Sequence, residues 1–396
     1  MKIMSGIAYL PLHEGHVPRW LLEYMMRLAS SILKALYEIY DPRDILRRFS
    51  DPLWFQAFNN VIGMDWDSSG STTVVTAIVK SITWRNDLGF LVLGGKGVHS
   101  KDTLKEIPEA VKRFGLGEDS ISMYTRISRL TAKIDSSLLQ DGYSLYHHTL
   151  FISRDGFWCV VQQGMNTAEK MARRYHLSQD TFKEDLLSDP HSGLASNVVV
   201  KPLNMIDKES AEARGVIDDL ISEESSRLIR MISEVNRILK GLTSLHTYSK
   251  GSDLRKNDIR RREFTIPYYK PINISKSFIE SINNLQLRNA RNIIEALELK
   301  GFGPEHVRAL ALVSDLIFNA PPSNRDPVTH PIDPFLYSFA HGGKDGIPYR
   351  VRRDLIERTI MTLEEAIERS RLGEQDKMKM LRRLSKYSDS LLKLEH

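Results

Sequence analysis

Three stretches in the first half of the chain combine side chains able to hold a divalent ion or move a proton. In LHEGHVP, His13, Glu14 and His16 crowd one short segment. Two histidines must stand four apart on a helix to face one metal, and here the glycine and proline favour a loop, so these are loop ligands or packing residues. In DWDSSG, Asp65 and Asp67 alternate around Trp66. Residues two apart in an extended chain share a face, so both carboxylates can grip one ion, which then orients water and neutralises a phosphoryl oxygen. The competing reading makes Asp67 or Ser69 the cap of a helix starting at 71. The third group is the densest: Lys133, Asp135, Gln140, Asp141, His147, His148, Gln162, Gln163 and Asn166, set among Tyr143, Tyr146, Trp158 and Val161. So many polar groups in an apolar setting must pair with each other or with a ligand. Adjacent His147 and His148 point to opposite faces of a strand, and His148 opposite Gln163 is the better candidate for a site. Asp141 with Gln162-Gln163 echoes the acid, acid-x-lysine pattern of restriction-type nucleases, but no lysine follows. The expected catalytic residues are therefore Asp141, His148, Lys133 and Gln163, together with Asp65. Expected metal ligands are Asp65, Asp67, His13, His16, Asp141 and His148, a set whose oxygens and imidazoles suit Mg²⁺, Mn²⁺ or Zn²⁺ more than a thiolate metal, with Mg²⁺ or Mn²⁺ the expected cofactor.

Other residues point to phosphate. LGGKG (93–97) and HGGKDG (341–346) offer bare amides with Lys96 and Lys344, although neither completes a P-loop running into a helix. From 250 to 270 there are seven Lys/Arg against three Asp/Glu, and Arg260, Arg261 and Arg262 stand near Tyr268 and Tyr269. That mixture suits a nucleic-acid backbone, and equally a solvated linker. In LELKGFGPEHVRALALV, Gly301, Phe302 and Gly303 interrupt a helical pattern for one turn before Pro304 restarts it. A bare loop leading into a helix N-terminus is a seat for a phosphate.

The elements that must position these groups are partly legible. Residues 19–40 carry a helical stripe, and 71–82 read as helix or strand. The run 89–95 has the look of a buried strand. Asp155-Gly156 signals a two-residue hairpin turn, which pairs residues summing to 311: Ile152 with Cys159, His148 with Gln163. One long helix is expected from about 208 to 242. Helices should follow after 276, apart from a loop at 319–350, a length usually functional or disordered. The expected fold is mixed α+β. It comprises an α/β domain (1–206) carrying the chemistry, a helix and basic linker (207–275), a helical domain (276–393), and a tag-like remnant (394–396).

The spacing in LKGFGPEHVRALAL resembles the helix-hairpin-helix motif of DNA-repair proteins. The resemblance implies DNA binding that ignores base sequence, with the amides of residues 301–305 meeting a phosphate. In glycosylases built on that hairpin a catalytic aspartate follows by a little over twenty residues, and Asp326 lies 25 residues after Gly301. Glu305 replaces the lysine of the bifunctional enzymes, so only a monofunctional glycosylase is implied. Nearly the whole chain also resembles the prokaryotic domain of unknown function numbered 763. The likeness is carried by LPLHEGHVPRWL, SDPLWFQAF, DWDSSGSTTVVT, LQDGYSLYHH, VVQQGMN, RRYH and FAHGGKDGIPY.

With 41% hydrophobic and 27% charged residues, the composition is that of a water-soluble globular protein. Net charge of +5 and a pI near 9.0 favour an acidic partner only weakly. The lone Cys159 excludes internal disulfides and cysteine zinc sites and fits a cytoplasmic protein, as does the lack of a leader or an 18-residue apolar run. The expected function is a DNA-processing enzyme, foremost a metal-dependent nuclease of repair or recombination acting on double-stranded or branched DNA. A monofunctional glycosylase and a non-catalytic DNA-binding or scaffold protein are the alternatives.

Overall fold

A computed structural model describes residues 19–63, 70–182, 187–196, 198–240, 268–331 and 353–392. Its centre is an antiparallel sheet of β1 (Phe90–Lys96), β3 (Ser144–Ser153), β4 (Trp158–Asn166), β5 (Met171–Ser178) and β6 (His191–Ser196), in that spatial order. At the far edge β8 (His330–Pro331) adds a short parallel pair to β6. A separate two-stranded ribbon joins β2 (Leu139–Gln140) to β7 (Leu203–Asn204).

Both sheet faces are covered by helices, so the strands are buried on both sides. Leu91, Leu93, Leu150, Ile152, Val160, Leu177 and Leu194 face one layer of helices. That layer holds α5 (Asp102–Phe114), α6 (Asp119–Lys133), α7 (Ala211–Ser222), α8 (Ser225–Leu239), α9 (Lys276–Leu287), α10 (Ile293–Glu298) and α11 (Pro304–Leu316). Phe90, Val92, Phe151, Cys159 and Val161 face the other layer. There α1 (Arg19–Ile39), α2 (Pro42–Phe49), α3 (Pro52–Ile62) and α4 (Gly70–Arg85) pack with α12 (Arg353–Arg369) and α13 (Glu374–Leu392). The fold is thus mixed α+β, as the sequence implies. Among the described residues no helix is long and apolar enough to cross a membrane.

One local reading is decided and two change. Residues 70–85 are helical despite their β-branched content, because burial on most sides outweighs propensity, and Thr76 returns its hydroxyl to Thr72 O within the helix. The expected long helix breaks at Glu223, whose extended backbone (ψ 157°) lets α7 and α8 both reach α11. The hairpin loop has three residues, Arg154, Asp155 and Gly156, with Gly156 left-handed (φ +87°) and Ser153 N–H bonded to Phe157 O at 2.9 Å. The register therefore slips by one: Phe151 faces Cys159, His148 faces Gln162, and His147 faces Gln163.

Candidate functional site

The register decides which polar residues meet. On the α6 side His148 Nδ1 donates to Gln162 Oε1 (2.7 Å) and its Nε2 accepts from Ser128 Oγ (2.9 Å). Gln162 Nε2 donates to Asp135 Oδ2 (2.6 Å), whose Oδ1 takes His191 Nε2 (2.6 Å), and His191 Nδ1 reaches Asp189 (3.2 Å). Burial lowers the His148 pKa, with partial relief from Gln162, so the ring is neutral at pH 7. Burial also opposes charge on His191, but Asp135 and Asp189 outweigh it and raise the ring to about 10. The result is a closed chain in which every imidazole nitrogen has a partner. Ser128 and His148 have the contact of an activated hydroxyl, yet both are buried.

Asp141 belongs to a different hub. Arg173 Nη1 donates to Asp141 Oδ2 (3.0 Å) and Asp326 Oδ1 (3.1 Å), while Nη2 donates to Asp326 Oδ2 (2.8 Å) and Val198 O (2.8 Å). Tyr175 OH and Tyr143 N–H also donate to Asp141, and Val200 N–H donates to Asp326. Burial raises the Asp141 carboxyl, opposed by Arg173. One guanidinium thus bridges two carboxylates to which the sequence assigns separate roles. Asp141 and His148 share no hydrogen-bonding partner here, and among the described residues no three His, Cys, Asp or Glu converge as a metal site.

On the opposite sheet face a row crosses three strands: His147 on β3, Gln163 on β4 and Arg174 on β5. Arg174 reaches Gln56 and Thr72, so the row lies beneath α3 and the first turn of α4. Gln163, expected with His148, belongs to this row because of the one-residue slip.

The glycine hairpin bridges α10 and α11 as expected. Gly301 is left-handed (φ +94°), and Phe302 is buried and packs its ring on His306 (5.1 Å). Gly303 is extended (φ −160°) and its N–H donates to His306 Nδ1 (3.3 Å). Lys133, expected beside Asp141, instead donates to Phe302 O (2.7 Å), and Gln140 donates to Pro304 O (2.8 Å). These two side chains clamp the hairpin to the sheet layer. A cleft of about 510 Å³ opens beside it, between Gln140, Asp141, Tyr143, Asn166, Lys201 and Arg308. Lys96 is exposed at the end of β1. Gly94, two residues before it, is not bare, since its N–H donates to Glu106 (2.8 Å) and its O accepts from Lys80 (2.7 Å). His13, His16, Asp65, Asp67, Arg260, Arg261, Arg262 and Lys344 lie outside the described residues.

A family model described as Protein of unknown function (DUF763) matches residues 6–351. The chain belongs to that family. No curated protein and no solved structure matches it.

Four residues that organise these networks were not candidates from sequence: Arg173, Arg174, Tyr175 and His191. The signal for the first three was present in RRYH, two arginines inside a strand whose neighbours are buried on both faces. Arginine is almost never fully buried without a reason. His191 has only Asp189, two residues away, as a local cue, because its closer partner Asp135 is 56 residues away.

Proposed function

We propose that this protein binds DNA without regard to base sequence and acts on it, with the hairpin between α10 and α11 seated against a backbone phosphate. The observation that carries the reading is the hairpin's construction. Its inner side is anchored by Phe302 and clamped by Lys133, while Lys300, Gly301 and Pro304 stand exposed at its tip. Phe302 N–H is turned to Leu299 O and Gly303 N–H to His306. The exposed Lys300 and Gly301, at a tip leading into the α11 N-terminus, are therefore the groups left to meet a phosphate, and likeness to the helix-hairpin-helix motif points the same way. For the reaction we carry forward phosphodiester cleavage with Mg²⁺ or Mn²⁺. Asp141 and His148 have their acceptor atoms engaged internally, so the ligand candidates that remain are Asp65, Asp67, His13 and His16, outside the described residues. The glycosylase reading is weaker, since Asp326 receives two bonds from Arg173 and one from Val200 N–H and its side chain is 2% exposed.

The test is Lys300→Glu, a change at an exposed tip. DNA affinity should fall at least tenfold, about 1.4 kcal/mol, with the unfolding midpoint unchanged. Equal affinity in the folded variant removes the hairpin from the binding surface. Labelled branched and duplex DNA incubated with Mn²⁺ or with EDTA tests the chemistry. Cutting that survives EDTA ends the metal reading, and binding with no product on any DNA leaves a plain binding protein.

A further inference from the structure

Consecutive residues on β5 handle buried charge in opposite ways. Arg173 meets two carboxylates, whereas Arg174, only 5% exposed, meets none among the described residues. Its guanidinium donates to His176 Nε2 (3.0 Å), Gln56 Oε1 (3.2 Å), Pro52 O (3.4 Å) and Thr72 Oγ1 (3.5 Å), all neutral. Burial pushes its pKa down to about 10. The Phe55 ring, 4.6 Å from the guanidinium carbon, and these acceptors offset part of the desolvation but supply no counter-charge, so the site favours an anion.

The two elements that Arg174 reaches also carry unpartnered groups. Ser71 Oγ on the first turn of α4, one residue before Thr72, is buried with no hydrogen bond. Both amide atoms of Asn59 are likewise buried and unmatched, one turn along α3 from Gln56. Such groups are rare in folded proteins, and each stands next to a residue that Arg174 reaches, Ser71 beside Thr72 and Asn59 one turn from Gln56. His147 adds an acceptor. Its Nε2 is 3.0 Å from Thr76 Oγ1, whose own proton goes to Thr72 O, so Nε2 carries the hydrogen and the unmatched Nδ1 is a bare lone pair. The positive end of the α4 dipole falls on the same spot.

We infer that Arg174, Ser71 and Asn59 bind a phosphoryl oxyanion against the first turn of α4. A guanidinium, a hydroxyl, an amide N–H and a helix N-terminus supply donors for several oxygens, and His147 Nδ1 accepts from a phosphoryl O–H. A carboxylate offers only two oxygens and, when ionised, no donor. The assignment is independent of the hairpin reading, because none of these residues touches residues 299–304.

The experiment titrates inorganic phosphate, and separately acetate, into the full chain by calorimetry and thermal unfolding. Phosphate should bind saturably and raise the unfolding midpoint, and Arg174→Met and Ser71→Ala should each weaken it about tenfold or more. If Arg174→Met does not fold, Ser71→Ala and Asn59→Leu decide, because each deletes atoms that have no partner in the free protein. No saturable phosphate binding at millimolar concentration, equal binding by the variants, or acetate binding as tightly as phosphate overturns the assignment. Lys300→Glu should keep its phosphate binding, so failure here and failure of the DNA reading are separate results.

Discussion

His147 and His148 are neighbours in the chain with different fates. His148 sits in a network that satisfies both its nitrogens, while His147 has one nitrogen on Thr76 and the other unmatched. Burial, then the neighbouring His148 and Lys96, push His147 down to about 3. A histidine lowered on folding binds fewer protons in the folded chain than in the unfolded one. Its contribution is therefore whole above an unfolded value near ~6.5 and is lost as pH falls toward the folded value. At pH 5 the loss from this residue is about 2 kcal/mol. His147→Gln keeps a donor toward Thr76 and removes the titration. Urea unfolding at pH 7.5 and pH 5 should show the variant losing about 2 kcal/mol less than the wild type on acidification. Equal losses would mean that His147 is charged in the fold. His148 is shifted in the same direction and is present in both proteins, so the difference isolates His147.

At the scale of elements, legibility followed how local the determining contacts are. The stripe of α1 is written within its own residues, and so is the glycine stop between α10 and α11. The hairpin was found from Asp155-Gly156, but its loop length was not, since a two-residue and a three-residue loop accept the same pair of residues. That single residue reassigned Gln163 from His148 to His147. The site residues were legible as polar types but not as groupings, because Asp326 joins Arg173 across 153 positions. The hairpin glycines show how structure refines a test. At Gly301 (φ +94°) a Cβ would lie 2.6 Å from Ser281 Oγ, whereas at Gly303 the backbone is extended and the nearest contact is Lys133 Nζ at 3.8 Å. A small side chain at Gly303 is thus tolerated, and Gly301 is the position that fixes the bend. Gly301→Ala should cost about 1–2 kcal/mol in chemical unfolding, and Gly303→Ala less than about 0.5 kcal/mol. Adding Ser281→Gly to Gly301→Ala should recover part of the loss, the clash but not the left-handed strain. Equal costs for the two alanines would show that the bend does not depend on Gly301.

For the whole molecule, the sheet is the shared wall of two cores, and chain order does not respect them. The helices after residue 276 were read from sequence as one domain, yet α9–α11 lie in the core on one face and α12–α13 in the core on the other. The last two helices close the layer that the first helices begin. Asp376 takes Arg27 Nη2 (2.7 Å) and Tyr24 OH (3.2 Å), Arg383 donates to Val61 O (3.3 Å), and Tyr387 OH donates to Leu53 O (3.3 Å). Leu363, Ala366, Ile367, Met380, Leu384 and Tyr387 are buried against α1 and α3 in that core. Each fully buried large apolar side chain stabilises by about 1.5–3 kcal/mol relative to exposure, and native chains keep a margin of only about 5–15 kcal/mol. A chain cut after residue 352 therefore loses most of its margin and leaves apolar faces of α1 and α3 in water. It should melt well below the full chain by circular dichroism, bind a hydrophobic dye before melting, and recover when 353–392 is supplied as a separate peptide. The intact protein should unfold in one transition seen alike by tryptophan fluorescence and helix content, because both cores pack on the same strands. A cut chain with the full-length midpoint and no dye binding would show that the last two helices are an independent appendage.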